Sequence, residues 1–226
     1  MFSLAKKKIL ITGSLGILGR SLCLEFLKKG ATVIGVDIIN ENLKKNLPRK
    51  YLKNYNYYKV DICNEKKIQI LHKKIKKKIG LVNVIVNNAA TKTNNLKNFF
   101  SDTENYPIST WRRVMDVNLL SMQIIIKEFI RDLISQKDGS IIQISSIYGL
   151  KGPDNRIYVD SKNKNLKFNT PPVYAASKAG VIGLTKYYST IYGPSGIRCN
   201  SVAPVELDLN MIMIFIIELL LKSPLG

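Results

Sequence analysis

The sequence is poor in the residues that build metal centres and disulfide frameworks. It has three cysteines and one histidine in 226 residues, and the cysteines lie far apart, at Cys23, Cys63 and Cys199. A zinc ribbon needs closely paired cysteines, and a disulfide-rich domain needs an even, denser set. We therefore expect no metal site and a reducing compartment, the cytoplasm.

Long apolar segments are also missing. Residues Met1–Lys8 carry three lysines and no apolar stretch of the kind found in signal peptides. No segment reaches the roughly 18 apolar residues that a membrane-spanning helix needs. The sequence thus predicts a cytoplasmic protein that does not interact with a membrane.

Acidic residues are scarce: 16 stand against 35 basic ones, which gives a net charge of +19. The densest lysine run, Glu65–Ile79, has apolar Ile68, Leu71 and Ile75 at helical spacing, so its lysines fit the solvated side of an amphipathic helix. No aromatic residues interleave with them, and we expect no nucleic-acid partner. His72, in this run, has no further ligand at metal spacing and is interpreted as a surface residue.

With 46% hydrophobic residues, the chain has enough apolar material for one domain with a single core. Short apolar segments alternate with longer helical patterns, which predicts an α/β fold, a doubly wound parallel sheet with helices on both faces. The six predicted strands are Lys8–Thr12, Thr32–Asp37, Tyr57–Val60, Val82–Val86, Ser140–Ile144 and Ile197–Val202. The predicted helices are Ile17–Lys29, Glu65–Ile79, one long helix from Ser109 to about Gln136, and Tyr174–Tyr192.

Two segments depart from this alternation. The polar, proline-containing stretch 151–173 is interpreted as a lid beside the site, with a disordered excursion as the alternative. The segment 205–226 is apolar on all sides and too short to span a bilayer, so we expect it to be buried. It would cover the substrate, cover a sheet edge, or be the remainder of a truncated or frame-shifted product. The predicted catalytic domain is therefore 1–204.

A glycine-rich turn, Thr12–Gly19, follows the first predicted strand. Gly13 permits a tight turn, Gly16 lets the backbone approach a pyrophosphate, and Gly19 allows close packing of helix on strand. The helix that begins at Ile17 presents free N–H groups and a partial positive charge to the phosphates. This pattern predicts a dinucleotide site, with a structural turn as the alternative.

An acidic residue, Asp37, ends the second predicted strand, 18 residues after Gly19. Its carboxylate can accept hydrogen bonds from both hydroxyls of an adenosine ribose and would repel a 2′-phosphate. We therefore predict NAD as cofactor, with NADP as the alternative because Arg20 lies next to the turn.

Tyr174 and Lys178 are four residues apart and thus share one face of a helix. A neighbouring ammonium and the positive nicotinamide of an oxidised cofactor both favour the phenolate, so the pair is suited to general acid/base catalysis. Tyr158 and Lys162 have the same spacing, but the polar residues 163–165 that follow them offer no face to bury. We therefore assign the role to Tyr174 and Lys178.

Ser146 follows a predicted strand, where α/β sheets place ligand-binding groups. It is preferred to Ser145 because alternation along the strand points only one of them into the crevice, and its hydroxyl would orient the substrate oxygen. Asn118 lies in an apolar helical stretch. It either satisfies backbone groups as a buried amide or holds a water in a proton relay to Lys178.

Together these residues resemble the short-chain dehydrogenase/reductase family over residues 8–204. The resemblance is carried, in the family's order, by the glycine turn, Asp61, Asn87-Asn88-Ala89, Asn118, Ser146, Tyr174, Lys178 and Asn200–Pro204. It implies a Rossmann-type fold whose usual seventh strand is missing here, a nicotinamide cofactor, and oxidoreduction of an alcohol and a carbonyl by a Ser–Tyr–Lys–Asn tetrad.

The resemblance also implies how the cofactor and substrate are held. Asp61 and Ile62 would bind the adenine end, and Asn88 and Ala89 would line the cleft. Lys178 would hold the nicotinamide ribose. The small-molecule substrate would meet Tyr174, and the family forms homodimers or homotetramers through the two long helices.

The motif Ser145–Gly149, the long spacing from Ser146 to Tyr174, and Pro172–Ala176 resemble a subgroup found in surface-polysaccharide and flagellin-glycosylation pathways. A sugar or sugar-nucleotide derivative is therefore the expected substrate. The C-terminus departs from the family after Pro204, so the alternative is a catalytically impaired, NAD-binding remnant. A basic nucleic-acid-binding protein is the less favoured third interpretation.

Overall fold

The strands lie side by side in one parallel sheet, and helices cover both of its faces. The computed structural model describes residues 3–41, 43–154, 170–204 and 209–221. Within these ranges the sheet has six strands in the spatial order β3-β2-β1-β4-β5-β6, which confirms the predicted doubly wound fold. The strands are β1 (Lys8–Thr12), β2 (Thr32–Asp37), β3 (Tyr55–Lys59), β4 (Val84–Asn87), β5 (Gly139–Ile144) and β6 (Ile197–Val202).

The inner strands β1, β2, β4 and β5 are buried on both sides because helices cover both faces of the sheet, whereas the edge strands β3 and β6 are more polar and only partly buried. Ile9 and Ile11 of β1 belong to the core layer that contains α1, whereas Leu10 between them belongs to the layer on the opposite face. Parallel strands need long crossover connections, and helices supply them. The helices are α1 (Ile17–Lys28), α2 (Arg49–Leu52), α3 (Glu65–Lys78), α4 (Leu96–Phe99), α5 (Ile108–Met115), α6 (Ser121–Gln136), α7 (Pro172–Tyr192) and α8 (Leu209–Leu221).

The prediction of one regular helix from Ser109 to Gln136 is wrong in its middle. A π-helical turn, Asp116–Leu120, separates α5 from α6. Such a turn adds one residue to the helical repeat and commonly marks a functional position. The apolar pattern continues across it, so the sequence gives no sign of the interruption. In the described ranges, no helix is long and apolar enough to cross a membrane.

The C-terminal helix α8 packs on the sheet face that also carries α1. Its side chains enter the same apolar cluster as Leu22 of α1, and Ile216 is fully buried there. The guanidinium of Arg198, on the edge strand β6, donates hydrogen bonds to the carbonyls of Leu219 and, at 3.1 Å, Leu220. These bonds satisfy acceptors that the last turn of a helix leaves open. The buried residues of α8 are Ile212, Ile216, Ile217 and Leu220.

The interpretation of His72 as a surface residue is wrong. Its Nδ1 lies 2.8 Å from Oε1 of Glu128 and its Nε2 lies 2.8 Å from Oδ2 of Asp132, both on α6. Its ring also contacts Phe129, with the ring centroids 4.6 Å apart. These partners are more than 50 residues away in the chain, so local spacing could not reveal them.

Most of the insertion 151–173 falls outside the described residues, and so does the rival pair Tyr158 and Lys162. The lid interpretation therefore stays a prediction, as does the division of the chain at residue 204.

Candidate active site

The strand order reverses at β1 and β4, and the loops that follow these two strands meet there. The side-chain amide of Asn88 donates to the carbonyls of Thr12 at 3.1 Å and Gly13 at 3.0 Å. The backbone N–H groups of Asn88 and Ala89 both donate to Oγ1 of Thr12 at 3.1 Å. These bonds join the two loops into one wall of a crevice, at the point where doubly wound sheets bind ligands.

Two glycines of the turn lie where no Cβ atom would fit. Gly13 has a φ of +63°, and a Cβ on it would lie 2.8 Å from the Cα of Ala89. A Cβ on Gly19 would lie only 2.1 Å from the carbonyl oxygen of Gly13. Both positions therefore exclude any side chain. Gly16 directly precedes α1, so the free N–H groups of that helix open toward the crevice.

The crevice is a cleft of about 400 Å³ beside this turn. Eight of the nine residues assigned only to cofactor binding line it, whereas Gly19 lies behind the turn and only supports its shape. Thr91 and Arg113 also line the cleft, and the sequence analysis missed both. Thr91 could have been inferred from its place just after Asn88, but nothing in the sequence marks Arg113. The eight predicted residues are Gly13, Gly16, Ile17, Asp37, Asp61, Ile62, Asn88 and Ala89.

Asp37 is anchored by backbone N–H groups of the glycine turn and of the residue that follows it in the chain. Its Oδ2 accepts from the N–H of Leu15 at 2.9 Å, and its Oδ1 accepts from the N–H of Ile38 at 2.7 Å. A carboxylate has about four acceptor positions, so these bonds leave capacity for further donors in the cleft. The carboxylate of Asp61, which also lines the cleft, accepts from the N–H of Cys63 at 3.0 Å.

Lys178 is buried beneath Tyr174 on α7. Its side chain is 2% exposed, and its Nζ donates to the carbonyl of Ile144 at 2.8 Å. The same Nζ lies 5.8 Å from the centroid of the Tyr174 ring. Burial lowers the pKa of Lys178 to about 8, since a desolvated ammonium is costly. Lys178 is thus a cation at neutral pH that loses its proton in mild base.

The adjacent serines at the end of β5 have different partners. The hydroxyl of Ser145 donates to the carbonyl of Lys178 at 2.8 Å, which ties the strand end to α7. The oxygen of Ser146 accepts from the N–H of Tyr148 at 3.3 Å, in the turn that follows β5. The single hydroxyl proton of Ser145 is already donated to the carbonyl of Lys178, so Ser146 is better placed to donate a hydrogen bond to a substrate.

Asn118 occupies the π-helical turn and is fully buried. Its Oδ1 accepts from the N–H of Thr91 at 2.9 Å, and its Nδ2 donates to Oγ of Ser177 at 3.3 Å. Of the two roles left open by the sequence, its side chain therefore performs the structural one. A water relay to Lys178 stays a prediction.

The fold thus brings the four predicted catalytic residues to the carboxyl ends of β4 and β5. Ser146 lies two residues after the end of β5, Lys178 bonds to the last residue of that strand, and Tyr174 lies one helical turn before Lys178. Asn118 reaches them through Ser177 and the cleft wall through Thr91. The cleft predicted to bind a dinucleotide and the predicted acid/base pair are thereby linked through Thr91, Asn118 and Ser177.

Comparison with known proteins supplies the family. The family model described as short chain dehydrogenase matches residues 7–214. The 3-oxoacyl-acyl-carrier-protein reductase FabG of Thermotoga maritima is 31% identical over 211 residues, which cover 91% of this chain and 76% of that protein.

Solved structures agree with this match. A short chain dehydrogenase from Leptospira borgpetersenii with bound NAD+ has a TM-score of 0.75 and 28% identity, covering 90% of this chain and 72% of that one. The ligand-free aldohexose dehydrogenase of Thermoplasma acidophilum has a TM-score of 0.72 and 28% identity, covering 92% and 70%.

Proposed function

This chain belongs to the short chain dehydrogenase family of NAD(P)-dependent oxidoreductases, and on that basis we propose that it interconverts an alcohol and a carbonyl compound. One observation carries the proposal. The buried ammonium of Lys178 lies 5.8 Å from the Tyr174 ring, and hydrogen bonds through Ser177 and Asn118 connect Tyr174 to Thr91 in the wall of the cleft. An acid/base pair beside a dinucleotide cleft is what such a reaction requires.

Each of the four residues has a separate task in the proposed reaction. Tyr174 gives a proton to the substrate oxygen during reduction and takes it back during oxidation. Lys178 stabilises the phenolate, Ser146 donates a hydrogen bond to the same oxygen, and Asn118 fixes the geometry of the turn beside them. The nicotinamide cofactor, when bound, supplies or accepts the hydride.

The residues present suit a dinucleotide. The N-terminus of α1, at Gly16 and Ile17, would hold the pyrophosphate, since no side chain caps the first N–H groups of that helix. The spare acceptor positions of Asp37 would take the hydroxyls of the adenosine ribose, which favours NAD over NADP. Asp61 and Ile62, across the cleft, would contact the adenine end.

For the substrate we propose a sugar or sugar-nucleotide derivative. The support is the motif Ser145–Gly149, the segment Pro172–Ala176 and the similarity to an aldohexose dehydrogenase. The other named relative is a 3-oxoacyl reductase, so the resemblance to the surface-polysaccharide subgroup depends on the sequence motifs alone. The test is the turnover of a panel of aldohexoses, nucleotide sugars and 3-oxoacyl thioesters, measured as the change in NADH absorbance. Turnover of the thioester without turnover of any sugar would refute it.

The reaction itself is tested with Tyr174→Phe. General acid/base catalysis contributes about 10²- to 10⁴-fold, so we expect kcat to fall by that factor while NAD still raises the melting temperature. Tyr187→Phe is the matched control, because Tyr187 lies on the same helix and is 58% exposed. Undiminished turnover by Tyr174→Phe would disprove the role of Tyr174. NAD binding by the unmodified protein without turnover across the panel would favour the impaired remnant.

A further inference from the structure

Ser177 stands between two residues of the proposed site and belongs to neither the cleft nor the predicted tetrad. It is fully buried in α7, three residues after Tyr174. Its hydroxyl donates to the carbonyl of Tyr174 at 2.8 Å and accepts from Nδ2 of Asn118 at 3.3 Å.

The donors and acceptors present fix the direction of each hydrogen bond in the series from Thr91 to Tyr174. The backbone N–H of Thr91 is only a donor, so it must face the amide oxygen of Asn118. The amide nitrogen of Asn118 therefore faces Ser177 and donates to it. The hydroxyl of Ser177 has one proton, and that proton goes to the carbonyl of Tyr174.

The bonds join three separate segments: the cleft wall at Thr91, the π-helical turn at Asn118 and the first turns of α7. A serine that bonds back to a carbonyl one turn earlier tilts that carbonyl and bends the helix locally. In α7 the carbonyl concerned is that of Tyr174 itself. The backbone of Tyr174 is thus held by Ser177, which is itself held through Asn118 by the cleft wall.

We propose that Ser177 is a positioning residue, which transmits the fixed position of Asn118 to the backbone of Tyr174 and so holds the phenol in place for proton transfer. The inference rests on the proposed function of Tyr174. A misplacement of a reacting group by about 1 Å can cost about 100-fold in rate, so loss of this hydroxyl should reduce kcat by about tenfold or more.

The test compares Ser177→Ala with two control variants on the same helix. Ser189→Ala removes an equivalent hydrogen bond, from the Ser189 hydroxyl to the carbonyl of Lys186 at 2.9 Å. Thr185→Val removes a buried hydroxyl that bonds Gln143 at 3.0 Å, and so connects α7 to β5 away from Tyr174. The measurements are kcat, the KM of both substrates, the Kd of NAD and the melting temperature.

We expect Ser177→Ala to lower kcat about tenfold while the Kd of NAD changes by less than about twofold. Thr185→Val should lower the melting temperature comparably and leave kcat within about twofold, and Ser189→Ala should change neither. A Ser177→Ala enzyme with normal kcat would overturn the inference. An equal loss of kcat in Thr185→Val would also overturn it, because the effect would then follow stability.

A second measurement asks whether Ser177 acts through Tyr174. Residues that act as a unit are non-additive, so Ser177→Ala should cause no further fall in turnover when added to Tyr174→Phe. A further tenfold fall would contradict the inference. The two proposals fail separately, because normal turnover in Tyr174→Phe alone would remove the role of Tyr174, whereas normal turnover in Ser177→Ala alone would remove only that of Ser177.

Discussion

Replacing Lys178 by methionine should raise stability in neutral solution while it abolishes turnover. Lys178 is 2% exposed, and burial lowers its pKa from 10.5 to about 8. At pH 7 the lysine is charged in both the folded and the unfolded chain, so the folded state bears the full cost of the buried charge. Methionine has a similar volume and no charge, and it removes this cost.

The magnitude follows from the difference in pKa. Each unit corresponds to 1.36 kcal/mol, so the buried ammonium costs about 3 kcal/mol at pH 7. The variant also loses the hydrogen bond from Nζ to the carbonyl of Ile144, which is worth about 1 kcal/mol. We therefore expect Lys178→Met to be more stable by about 2 kcal/mol at pH 7.

The sign of the pH dependence identifies the cause. Between pH 8 and 10.5 the unfolded chain binds a proton on Lys178 that the folded chain does not, so the contribution of Lys178 to the stability of the unmodified protein rises with pH in this window. The advantage of the variant should consequently shrink by about 2 kcal/mol between pH 7 and 9.5. Burial raises the pKa of Cys63 to about 11 and that of Cys23, Cys199, Tyr57 and Tyr188 to about 12, and these groups lower stability as the pH rises above about 9. The variant and the unmodified protein share that contribution, so it cancels in the difference between them.

Urea unfolding followed by the fluorescence of Trp111, the single tryptophan, measures both curves. The comparison is the difference in free energy of unfolding between Lys178→Met and the unmodified protein across the pH range. Parallel curves would refute the reasoning, since they would mean that Lys178 is not desolvated in the folded state.

Three further substitutions test the cleft and the core. Gly19→Ala should abolish NAD binding in a calorimetric titration, because its Cβ would lie 2.1 Å from a carbonyl oxygen. Gly183→Ala is the control: a Cβ there meets nothing within 4 Å, so this variant should raise the free energy of unfolding by about 0.5–1 kcal/mol. Ile216→Ala should lower the free energy of unfolding by about 3 kcal/mol, since that side chain is fully buried. The neighbouring residue Phe215 is 50% exposed, so Phe215→Ala should lower it by less than about 1 kcal/mol. Asp37→Ala should weaken NAD binding by about tenfold and leave the Kd of NADP unchanged or lower, and an equal loss for both cofactors would contradict selection by this carboxylate.

The sheet was predictable because its strands carry their own local pattern. β1, β2 and β6 have the predicted limits. An apolar run closed by a turn residue marks β1 and β2, whereas β6 has buried Ile197 and Cys199 alternating with half-buried polar residues. β3 begins two residues before its predicted start because Tyr55 pairs with Val33 of the neighbouring strand, a contact that the local sequence does not encode. The four-residue helices α2 and α4 were missed, since one turn is too short for a periodic pattern.

The site shows the same division between local and distant information. Gly13, Gly16 and the residues after β4 line the cleft, because their positions follow from the ends of parallel strands. His72 and Ser177 bond to partners from other elements, and Arg113 reaches the cleft from α5, so the surroundings of all three are defined only by the fold. Asn118 was recognised, but its bonding to Thr91 required the two loops to be placed together.

Arg198 makes the end of α8 and the strand β6 dependent on each other. Its guanidinium donates to two carbonyls of the final helical turn, so that turn cannot fray without breaking a bond to the sheet. The strand in turn lies at one border of the sheet, and α8 shelters the face behind it. Local unfolding of α8 therefore involves β6 as well, and the backbone amides of these two elements should exchange with solvent as a single cooperative unit.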